Sequence, residues 1–513
     1  MSGCPPLGER GCRVSTGCGV ISMNKILFVA SEAYPFIKTG GLADVAGSLT
    51  CVLQKRKQDV RLLLPGYRSV LAQIKQPQVI AECDHYGHKI RIIETLLPNS
   101  YVKVWLVDCP AAFDRPGNPY VNAEGVDWPD NAFRFALFCQ VAVDIALNRC
   151  KLNWQPDIVH CNDWQTALVP ALLEGYAQRP ATVFTIHNMA YQGLFAKQTF
   201  TTLNLPETLW HPDGVEFYGQ FSFLKGGLVY ADYINTVSPT YAQEIQQAES
   251  GYGLDGLLRH RRAVLRGILN GIDQDTWNPA SDLHIQYRYN QATLKNKSLN
   301  KTELQSALKL PVNANTPLLG MISRMVEQKG FDTVIGALPA LTKLPIQMVF
   351  LGSGQRHFEK TLAEWAKQYP TKIHVRIGYD ETLSHRIEAA ADLYLMPSLF
   401  EPCGLNQLYS LRYGTLPVVR NVGGLADSVC DTNTTTLANN TATGFVMPDN
   451  QPATLVTTVQ RALHYYQQPA IWRPIQVNAM NQDFSWQQSA EEYLQMYQDA
   501  IKSRAPLKIV IFS

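Results

Sequence analysis

Short apolar runs alternate with helix-patterned segments along most of the chain. NKILFVASE (Asn24–Glu32) is almost unbroken in its hydrophobicity, which is typical of a strand covered on both faces. From Leu42 to Leu53 the apolar positions then follow the spacing of an amphipathic helix. Because strands and helices continue to alternate, the pattern predicts a parallel sheet with helices on both faces.

Two such series are predicted, one in each half of the chain. The first has strands at 24–32, 60–65, 101–108, 157–163, 182–188 and 233–238, with helices at 131–148 and 164–177. The second has strands at 316–324, 346–354, 372–379, 392–398 and 415–420, and a mostly helical end at 472–504. Between them, GILNGIDQDTWNP (Gly267–Pro279) has an Asn-Gly turn signal and precedes a polar stretch. We interpret it as the crossing between two doubly wound α/β domains, which face each other across a deep cleft.

The predicted division follows from these series. We expect an extension at 1–22, a first Rossmann-like domain at 23–266, a second at 267–484, and a C-terminal helix with a tail at 485–513. The helix is expected to return to the first domain. The extension has no apolar segment long enough for a secretory signal, and Met23 is an alternative start. The last eight residues, PLKIVIFS, have a strand-like pattern.

Composition narrows the class of protein. A chain of 513 residues is too long for one ordinary core, and 46% apolar with 17% charged residues suits a compact fold. The formal net charge of +2 argues against nucleic acid as a partner, and no apolar run is long enough to cross a membrane. Eleven cysteines without a CxxC pair indicate neither a zinc ribbon nor a disulfide scaffold, so we expect reduced thiols in a cytoplasm.

A lysine and two glycines separate the first strand from the first helix, in KTGGLADV (Lys38–Val45). Gly40 and Gly41 allow a ligand to approach the backbone closely, and the helix start and Lys38 offer positive charge to a phosphate. A tight turn with a surface lysine is the alternative. The letters GGLAD return in RNVGGLADSV (Arg420–Val429), which suggests a second close approach at the same cleft, or a shared turn.

The second series has two chemically promising strand ends. Arg324 and Lys329 lie in ISRMVEQKGFD. The guanidinium of Arg324 can bind a diphosphate through two N–H groups, and Lys329 adds an ammonium charge; the alternative is that both belong to a solvated loop. Glu401, in LFEPCGLNQLYSLRYG, is placed to accept hydrogen bonds from sugar hydroxyls; the alternative is an acid that complements a helix dipole. Cys403 lies beside it, and we interpret it as a small packed residue rather than a nucleophile.

Polar and aromatic residues also follow two neighbouring strands of the first series. His160, Asp163 and Trp164 lie in VHCNDWQTAL, and His187 and Asn188 lie in FTIHNMAYQG. Such pairs suit carbohydrate. Metal ligation is the alternative, but no HxxxH or clustered Cys/His spacing supports it. A DxD pattern at 273–275 lies in the predicted crossover, where we expect no metal.

With these segments in place, the chain resembles the bacterial glycogen synthases, a family shared with plant starch synthases. The resemblance covers about residues 24–500. It rests on motifs that follow one another in the expected order: KTGGLADV, RPGNPY, VHCNDW, FTIHNMAYQG, FSFLKGGLVYAD, SPTYAQEI, LNGID, ISRMVEQKG, IGYDETLSHRI, FEPCGLNQLYSLRYGTLPVVR and GGLADSV.

The resemblance implies a two-Rossmann-domain GT-B fold and a retaining transfer of glucose. The donor would be ADP-glucose and the acceptor the non-reducing 4-hydroxyl of an α-1,4-glucan, so that glycogen is elongated. No metal or other cofactor is implied. The implied catalytic residues are Lys38, His187, Arg324, Lys329 and Glu401.

The resemblance also assigns binding roles. The donor would be held by the catalytic cations and Glu401 together with Gly40, Gly41, Cys403, Gly404 and Leu405, and Tyr379 would adjoin the adenine. The acceptor would meet Tyr120, Asp163, Trp164 and Asn188. Relatives often have a histidine where Asn162 stands, which is a departure on the acceptor side.

Three other functions remain open at this point. A GT-B enzyme that uses UDP-glucose or another donor would need the same cations. A non-catalytic glucan-binding relative would bind glycogen without turnover. A pyridoxal-phosphate phosphorylase has the same gross architecture and would absorb visible light through its Schiff-base lysine.

Overall fold

The computed structural model describes residues 23–122 and 124–504. The predicted extension at 1–22 and the strand-like segment at 506–513 lie outside the described residues. The described residues form the strands β1 (Lys25–Val29), β2 (Asp59–Pro65), β3 (Gln78–His85), β4 (His88–Leu96), β5 (Lys103–Asp108), β6 (Ile158–Asn162), β7 (Ala181–Ile186), β8 (Leu194–Ala196), β9 (Glu216–Phe217), β10 (Gln220–Ser222), β11 (Tyr233–Thr236), β12 (Leu265–Gly267), β13 (Leu318–Ile322), β14 (Gln347–Gly352), β15 (Ile373–Ile377), β16 (Leu393–Met396), β17 (Leu416–Arg420) and β18 (Phe445–Met447).

The α-helices in the same part of the chain are α1 (Gly41–Lys55), α2 (Arg68–Leu71), α3 (Pro110–Phe113), α4 (Asn131–Ala146), α5 (Leu168–Leu173), α6 (Lys197–Thr202), α7 (Phe223–Tyr230), α8 (Pro239–Glu244), α9 (Ala248–Gly251), α10 (Asp255–His260), α11 (Lys297–Ala307), α12 (Phe331–Leu341), α13 (Arg356–Gln368), α14 (Glu381–Ala390), α15 (Asn406–Tyr413), α16 (Gly423–Ser428), α17 (Thr434–Ala438), α18 (Pro452–Tyr466), α19 (Pro469–Met480) and α20 (Trp486–Arg504). Short 3-10 helices lie at Trp164–Thr166 and Glu327–Lys329, among other places. None of these helices is both long enough and apolar enough to cross a bilayer.

The first sheet has the strand order β12-β11-β7-β6-β1-β2-β5-β4-β3. Strand β1 is parallel to β2 on one side and to β6 on the other. The chain therefore winds outward in one direction from β1 and in the opposite direction from β6. This reversal creates a crevice beyond the carboxyl ends of β1 and β6, where doubly wound sheets bind ligands.

The second sheet is parallel throughout and has the order β15-β14-β13-β16-β17-β18. Its winding reverses between β13 and β16. The second crevice therefore opens beyond the ends of those two strands. The prediction of two Rossmann-like doubly wound domains is confirmed, since each sheet has its own buried core.

Two segments cross between the sheets side by side. The amide of Ile272 donates to the carbonyl of Phe484 at 2.8 Å, and a Cβ on Gly271 would lie 2.6 Å from the amide nitrogen of Trp486. Beyond this crossing, α20 packs against α1 and β7, and its buried residues join the first core.

The sequence pattern missed the antiparallel hairpin of β3 and β4, which extends the first sheet beyond β5. The hairpin turns at Tyr86 and Gly87, both of which have positive φ angles. Its outer strand has only exposed and half-buried positions and forms no apolar run, so a search for buried parallel strands passes over it. The short edge strand β18 was missed as well.

Candidate active site

A single cavity of about 1180 Å³ spans the two crevices. Its wall includes residues after β1 and β6 from the first domain and residues after β13 and β16 from the second. The two walls approach each other closely, because a Cβ on Gly41 would lie 3.9 Å from Cδ1 of Leu405. The sheet topology thus brings together strand ends that are distant in sequence.

Three cations converge on this cavity from both domains. Lys38 follows β1, Arg324 follows β13, and Lys329 ends the 3-10 helix Glu327–Lys329. Lys38 Nζ pairs with Asp44 Oδ1 at 2.8 Å, and Lys329 Nζ pairs with Glu401 Oε2 at 2.6 Å. Arg324 is exposed on the same wall. Three positive side chains on facing walls make this a site for an anion with more than one charged group.

In the glycine loop after β1, the protein's own structure does not require a glycine at position 40. Gly40 has an extended backbone (φ −152°, ψ −166°), and a Cβ placed there would meet no atom within 4 Å. Neither backbone strain nor packing therefore requires glycine at this position. Because Gly40 lines the cavity, the open space is available to a ligand.

Glu32 was not nominated from the sequence, yet it holds this loop in place. Its carboxylate accepts hydrogen bonds from the amide and the hydroxyl of Thr39. Burial raises the pKa of Glu32, and the hydrogen bonds from Thr39 oppose that shift. The available signal was its position, an acidic residue at the end of the apolar run Asn24–Glu32.

Glu401 is 4% exposed and lies in the loop between β16 and α15. Besides the ion pair with Lys329, its Oε2 accepts a hydrogen bond from the Ser398 hydroxyl at 3.0 Å. Cys403, Gly404 and Leu405 continue the same wall. Burial raises the pKa of the Cys403 thiol to about 12, so this side chain stays protonated near neutral pH. That agrees with its interpretation as a packed residue.

On the opposite wall, Asp163 and His187 are coupled through the backbone. The amide of His187 donates to Asp163 Oδ1 at 2.7 Å. Burial raises the pKa of Asp163 to about 7 and lowers that of His187 to about 3, so His187 is neutral at physiological pH. Asp163 also has a φ angle of 55°, which turns the chain sharply after β6.

Asn162, where the sequence indicates a departure on the acceptor side, has a clear task. Its Nδ2 donates to the carbonyl of Val29 at 3.1 Å, which fixes the orientation of the amide. Its Oδ1 then accepts a hydrogen bond from His187 Nε2 at 3.0 Å. This contact places the proton of the neutral imidazole on Nε2 and holds the ring against the cavity.

The predicted acceptor residues Tyr120, Trp164 and Asn188 all line the same cavity. The Tyr120 hydroxyl shares a hydrogen bond of 2.8 Å with the Ser31 hydroxyl. Trp164 is held edge-on by Phe135 and by neighbouring rings. An aromatic floor with hydroxyl and amide groups around it is suited to sugar rings.

Some nominated residues lie elsewhere. Tyr379 is 77% exposed and is not part of the cavity wall. His160 is fully buried, where it bonds with Tyr497 and Thr185, and burial lowers its pKa to about 3. It is a core histidine. Asp273 of the DxD pattern accepts hydrogen bonds from the amides of Asp275 and Thr276, which makes it a turn-forming residue.

The second GGLAD copy does not face the cavity, contrary to the first of the two interpretations. Gly423 has a φ angle of 43°, and a Cβ there would lie 1.9 Å from the carbonyl oxygen of Glu401. A Cβ on Gly424 would lie 2.2 Å from the carbonyl oxygen of Cys403. These glycines therefore permit α16 to pack under the loop that presents Glu401.

The same helix joins the two domains. Asp427 accepts hydrogen bonds from the Ser238 hydroxyl at 2.6 Å and from the amide and hydroxyl of Thr240 at 3.0 and 2.6 Å. The amide of Gly423 donates to Glu244 Oε1 at 2.9 Å. Helix α16 thus docks on the first turn and the last residue of α8, beside the cleft.

Comparison with known proteins agrees with this architecture. Residues 25–260 match the family described as the starch synthase catalytic domain, and residues 305–474 match the glycosyl transferases group 1. The chain is 55% identical to the glycogen synthase of Cellvibrio japonicus, over 93% of this chain and 99% of the relative. It is 52% identical to glycogen synthase 1 of Methylococcus capsulatus, over 93% and 97%.

Among solved structures, the catalytic domain of starch synthase IV from Arabidopsis thaliana, bound to ADP and acarbose, is similar with a TM-score of 0.85. The identity is 32%, over 94% of this chain and all of that one. Sucrose-phosphate synthase from Thermosynechococcus elongatus shares the fold at a TM-score of 0.57 and 16% identity.

Two doubly wound domains that close on a cationic cavity define a glycosyltransferase of the GT-B type. The relatives then narrow the class to enzymes that build α-glucans. The chain belongs to the glycogen synthase family, and its reaction is the glucosyl transfer that elongates glycogen.

Proposed function

We propose that the glucosyl donor is ADP-glucose and that glucose passes with retained configuration to the non-reducing 4-hydroxyl of an α-1,4-glucan. The observation that carries this proposal is the convergence of Lys38, Arg324 and Lys329 on one cavity between the two domains. The relative solved with ADP and acarbose supports both halves of the proposal, the nucleotide and the glucan.

The donor diphosphate would lie between the glycine loop and the start of the second domain. Open space at Gly40 and the free amides at the start of α1 favour an anion there. Lys38 would exchange its ion pair with Asp44 for a phosphate oxygen. Arg324 and Lys329 would contact the diphosphate from the opposite wall.

Negative charge grows on the diphosphate as the glycosidic bond breaks. Fixed cations lower the energy of that state because they need no reorganisation when the charge develops. Three cations supply the positive charge that a divalent ion provides in other transferases, and we propose that no metal or other cofactor takes part.

Glu401 would orient the donor glucose by accepting hydrogen bonds from its hydroxyl groups. Its Oε2 already accepts hydrogen bonds from Ser398 and Lys329, so the carboxylate is held rigidly at the wall and its Oε1 is available to the sugar. The backbone from Cys403 to Leu405 would continue this contact. His187, neutral and fixed by Asn162, would pack against the other side of the sugar.

Retention without a covalent intermediate would require the acceptor hydroxyl to attack from the side of the leaving group. The departing phosphate can then take the proton from that hydroxyl, so a strong protein base is not needed. Asp163, Tyr120, Trp164 and Asn188 would position the glucan end for this attack. The cleft excludes water when the domains close, which limits hydrolysis of the donor.

The cavity residues named so far would bind the diphosphate and the sugar of the donor, and the nucleobase is tested separately. A diphosphate clamp does not distinguish ADP from UDP, and Tyr379, the expected adenine neighbour, points to solvent. A competition assay with ADP-glucose and UDP-glucose, with glycogen as primer, tests the base directly. We expect ADP-glucose to be used with the higher kcat/KM; a preference for UDP-glucose would contradict the proposal.

A cytoplasmic location is the final part of this proposal. The eight cysteines in the described part of the chain are free thiols, which suits a reducing compartment. Fractionation of the source cells, with activity followed in each fraction, tests it.

A further inference from the structure

A cluster of potential metal ligands lies in the first domain, outside the wall of the active-site cavity. Cys83 and His85 are two residues apart on β3, so their side chains leave the same face of the strand. Asp144 belongs to the last turn of α4, and Cys150 follows that helix. Strand β3 is the edge of the nine-stranded sheet, and α4 packs against it.

The donor atoms of this cluster point at one another. The ligand atoms of Cys83, His85 and Asp144 all lie within 4.8 Å of one another. His85 Nε2 is 2.7 Å from Asp144 Oδ2. Cys150 adjoins Cys83, so a fourth potential ligand lies on the Cys83 side of this group.

We propose that Cys83, His85, Asp144 and Cys150 form a zinc site. Thiolate sulfur, imidazole nitrogen and carboxylate oxygen are the ligands that zinc takes in proteins, in a tetrahedral set of four. In such a site, neighbouring ligand atoms lie roughly 3.3–3.8 Å apart. The separations among the Cys83, His85 and Asp144 ligand atoms, which are 4.8 Å or less, would therefore change by about 1 Å on binding, and rotation of the Cys150 side chain would bring in the fourth ligand.

A neighbouring side chain orients the proposed carboxylate ligand. Arg149 Nη1 donates to Asp144 Oδ1 at 3.3 Å, which orients the carboxylate and leaves Oδ2 directed at His85. Ligating carboxylates are commonly held in this way by a neighbouring donor. The side chains of His85 and Asp144 are 19% and 12% exposed, so an ion can reach them from solvent.

The proposed site is structural rather than catalytic. None of its four residues belongs to the wall of the active-site cavity. A bound ion would join the β3–β4 hairpin to the end of α4. Because a ligand that binds only the folded state stabilises it, zinc should raise the unfolding temperature of the protein.

A plain ion pair between His85 and Asp144, or a Cys83–Cys150 disulfide, would each use only two of the four groups. The zinc site uses all of them, and this is the reason for preferring it. The three outcomes are separable, since only zinc binding depends on His85 and Cys83 together.

The test is metal binding by the full-length, reduced protein. The protein is freed of metal by chelation, titrated with Zn²⁺ or Co²⁺ under inert gas, and analysed for bound metal after dialysis. Cobalt reports thiolate ligation through a sulfur-to-metal charge-transfer band and tetrahedral geometry through intense visible bands. Cys4, Cys12 and Cys18 also carry thiols, so every measurement is repeated with these three replaced by serine.

We expect one metal per chain, retained when Cys4, Cys12 and Cys18 are replaced. Cys83→Ser and His85→Asn should each abolish the cobalt spectrum and reduce zinc affinity by at least about tenfold. The matched control Cys51→Ser should change neither. Zinc should raise the unfolding temperature of the wild type but not of His85→Asn, a readout that remains available if Cys83→Ser folds poorly.

Failure to retain one metal per chain would overturn the proposal. So would binding that survives both Cys83→Ser and His85→Asn, or binding that survives His85→Asn alone with its thiolate band intact, because the cluster would then not be the site.

Discussion

Lys329 Nζ lies 2.6 Å from Glu401 Oε2, and the two side chains are 17% and 6% exposed. The pair joins the two strand ends that flank the switch point of the second sheet, those after β13 and β16. A cation for the leaving group and a carboxylate for the sugar are therefore fixed relative to each other before a donor binds. Such preorganisation is what electrostatic catalysis requires.

Glu401→Gln tests the role of this carboxylate. Glutamine keeps the shape and one acceptor but removes the charge that pairs with Lys329. We expect kcat to fall by about 10²-fold or more and the dissociation constant of ADP to change little. Initial rates and calorimetry with ADP measure the two quantities. An unchanged kcat would reduce Glu401 to a residue that merely caps the start of a helix.

Arg324→Ala and Lys329→Ala should each cost about 2–4 kcal/mol of transition-state stabilisation, because each removes a fixed charge from the leaving group. The quantity to measure is kcat/KM for the donor. Lys360→Ala is the matched control, since Lys360 is an exposed lysine of the same domain whose ion pair with Glu364 is long, at 3.9 Å. If the first two variants resemble this control, the leaving-group assignment is wrong.

Gly40→Ala separates ligand contact from folding. A methyl group at Gly40 would meet no protein atom, so the free energy of unfolding should remain within about 0.5 kcal/mol of wild type. KM for the donor should rise severalfold if a phosphate occupies the space.

The control for that experiment is Gly47→Ala in α1, the helix that follows Gly40. Its new Cβ would lie 2.4 Å from the carbonyl oxygen of Tyr34, so this variant should lose about 1–3 kcal/mol of stability. A Gly40→Ala enzyme with normal KM would show that no ligand approaches the loop there.

Asp163→Asn tests the buried carboxyl through its pH dependence. Burial raises the pKa of Asp163 to about 7, whereas the unfolded chain has the ordinary value near 3.8. The folded state therefore disfavours the charged carboxylate of Asp163. The resulting loss in the free energy of unfolding grows from about pH 4 to pH 7 and is constant above pH 7.

Asparagine removes that cost and keeps an acceptor for the amide of His187. At pH 8 the variant should be about 0.5–2 kcal/mol more stable than wild type, with little difference at pH 4. Chemical denaturation at both pH values measures this, and transfer activity should fall. Equal stabilities of the wild type and Asp163→Asn at pH 8 would contradict the claim that burial of the Asp163 carboxylate is unfavourable.

Asp427→Ala tests the contact between α16 and α8. The variant loses the hydrogen bonds to Ser238 and Thr240 across the domain boundary. We expect a larger radius of gyration in solution scattering and a higher ratio of donor hydrolysis to transfer. Asp431→Ala is the control, because Asp431 pairs with Arg461 within one domain. Identical scattering for both variants would show that the contact between α16 and α8 does not hold the two domains together.

Much of the fold was predictable because parallel strands buried on both faces leave a strong pattern. The runs that became β1, β6 and β13 are short, apolar and followed by polar residues. The hairpin of β3 and β4 was not predictable in this way, since its outer strand is half exposed.

The residues of the site also divide into those that the sequence predicts and those whose roles depend on the folded chain. Lys38, Arg324, Lys329 and Glu401 were predictable because strand ends at a switch point meet in one crevice. The tasks of Glu32 and Asn162 were not, because each depends on a partner that only the folded chain brings near, Thr39 in one case and His187 in the other. The two GGLAD segments have the same sequence but different roles, since the first lines the cavity and the second packs under the loop that presents Glu401.

The most direct test of the central claim is a crystal structure of the protein with ADP bound. We predict that the diphosphate lies in the cavity between the domains, with phosphate oxygens in contact with Arg324 and Lys329 on one wall and with Lys38 or the amides after Gly40 on the other. A diphosphate bound outside this cavity, or bound there with these side chains directed into solvent, would contradict it.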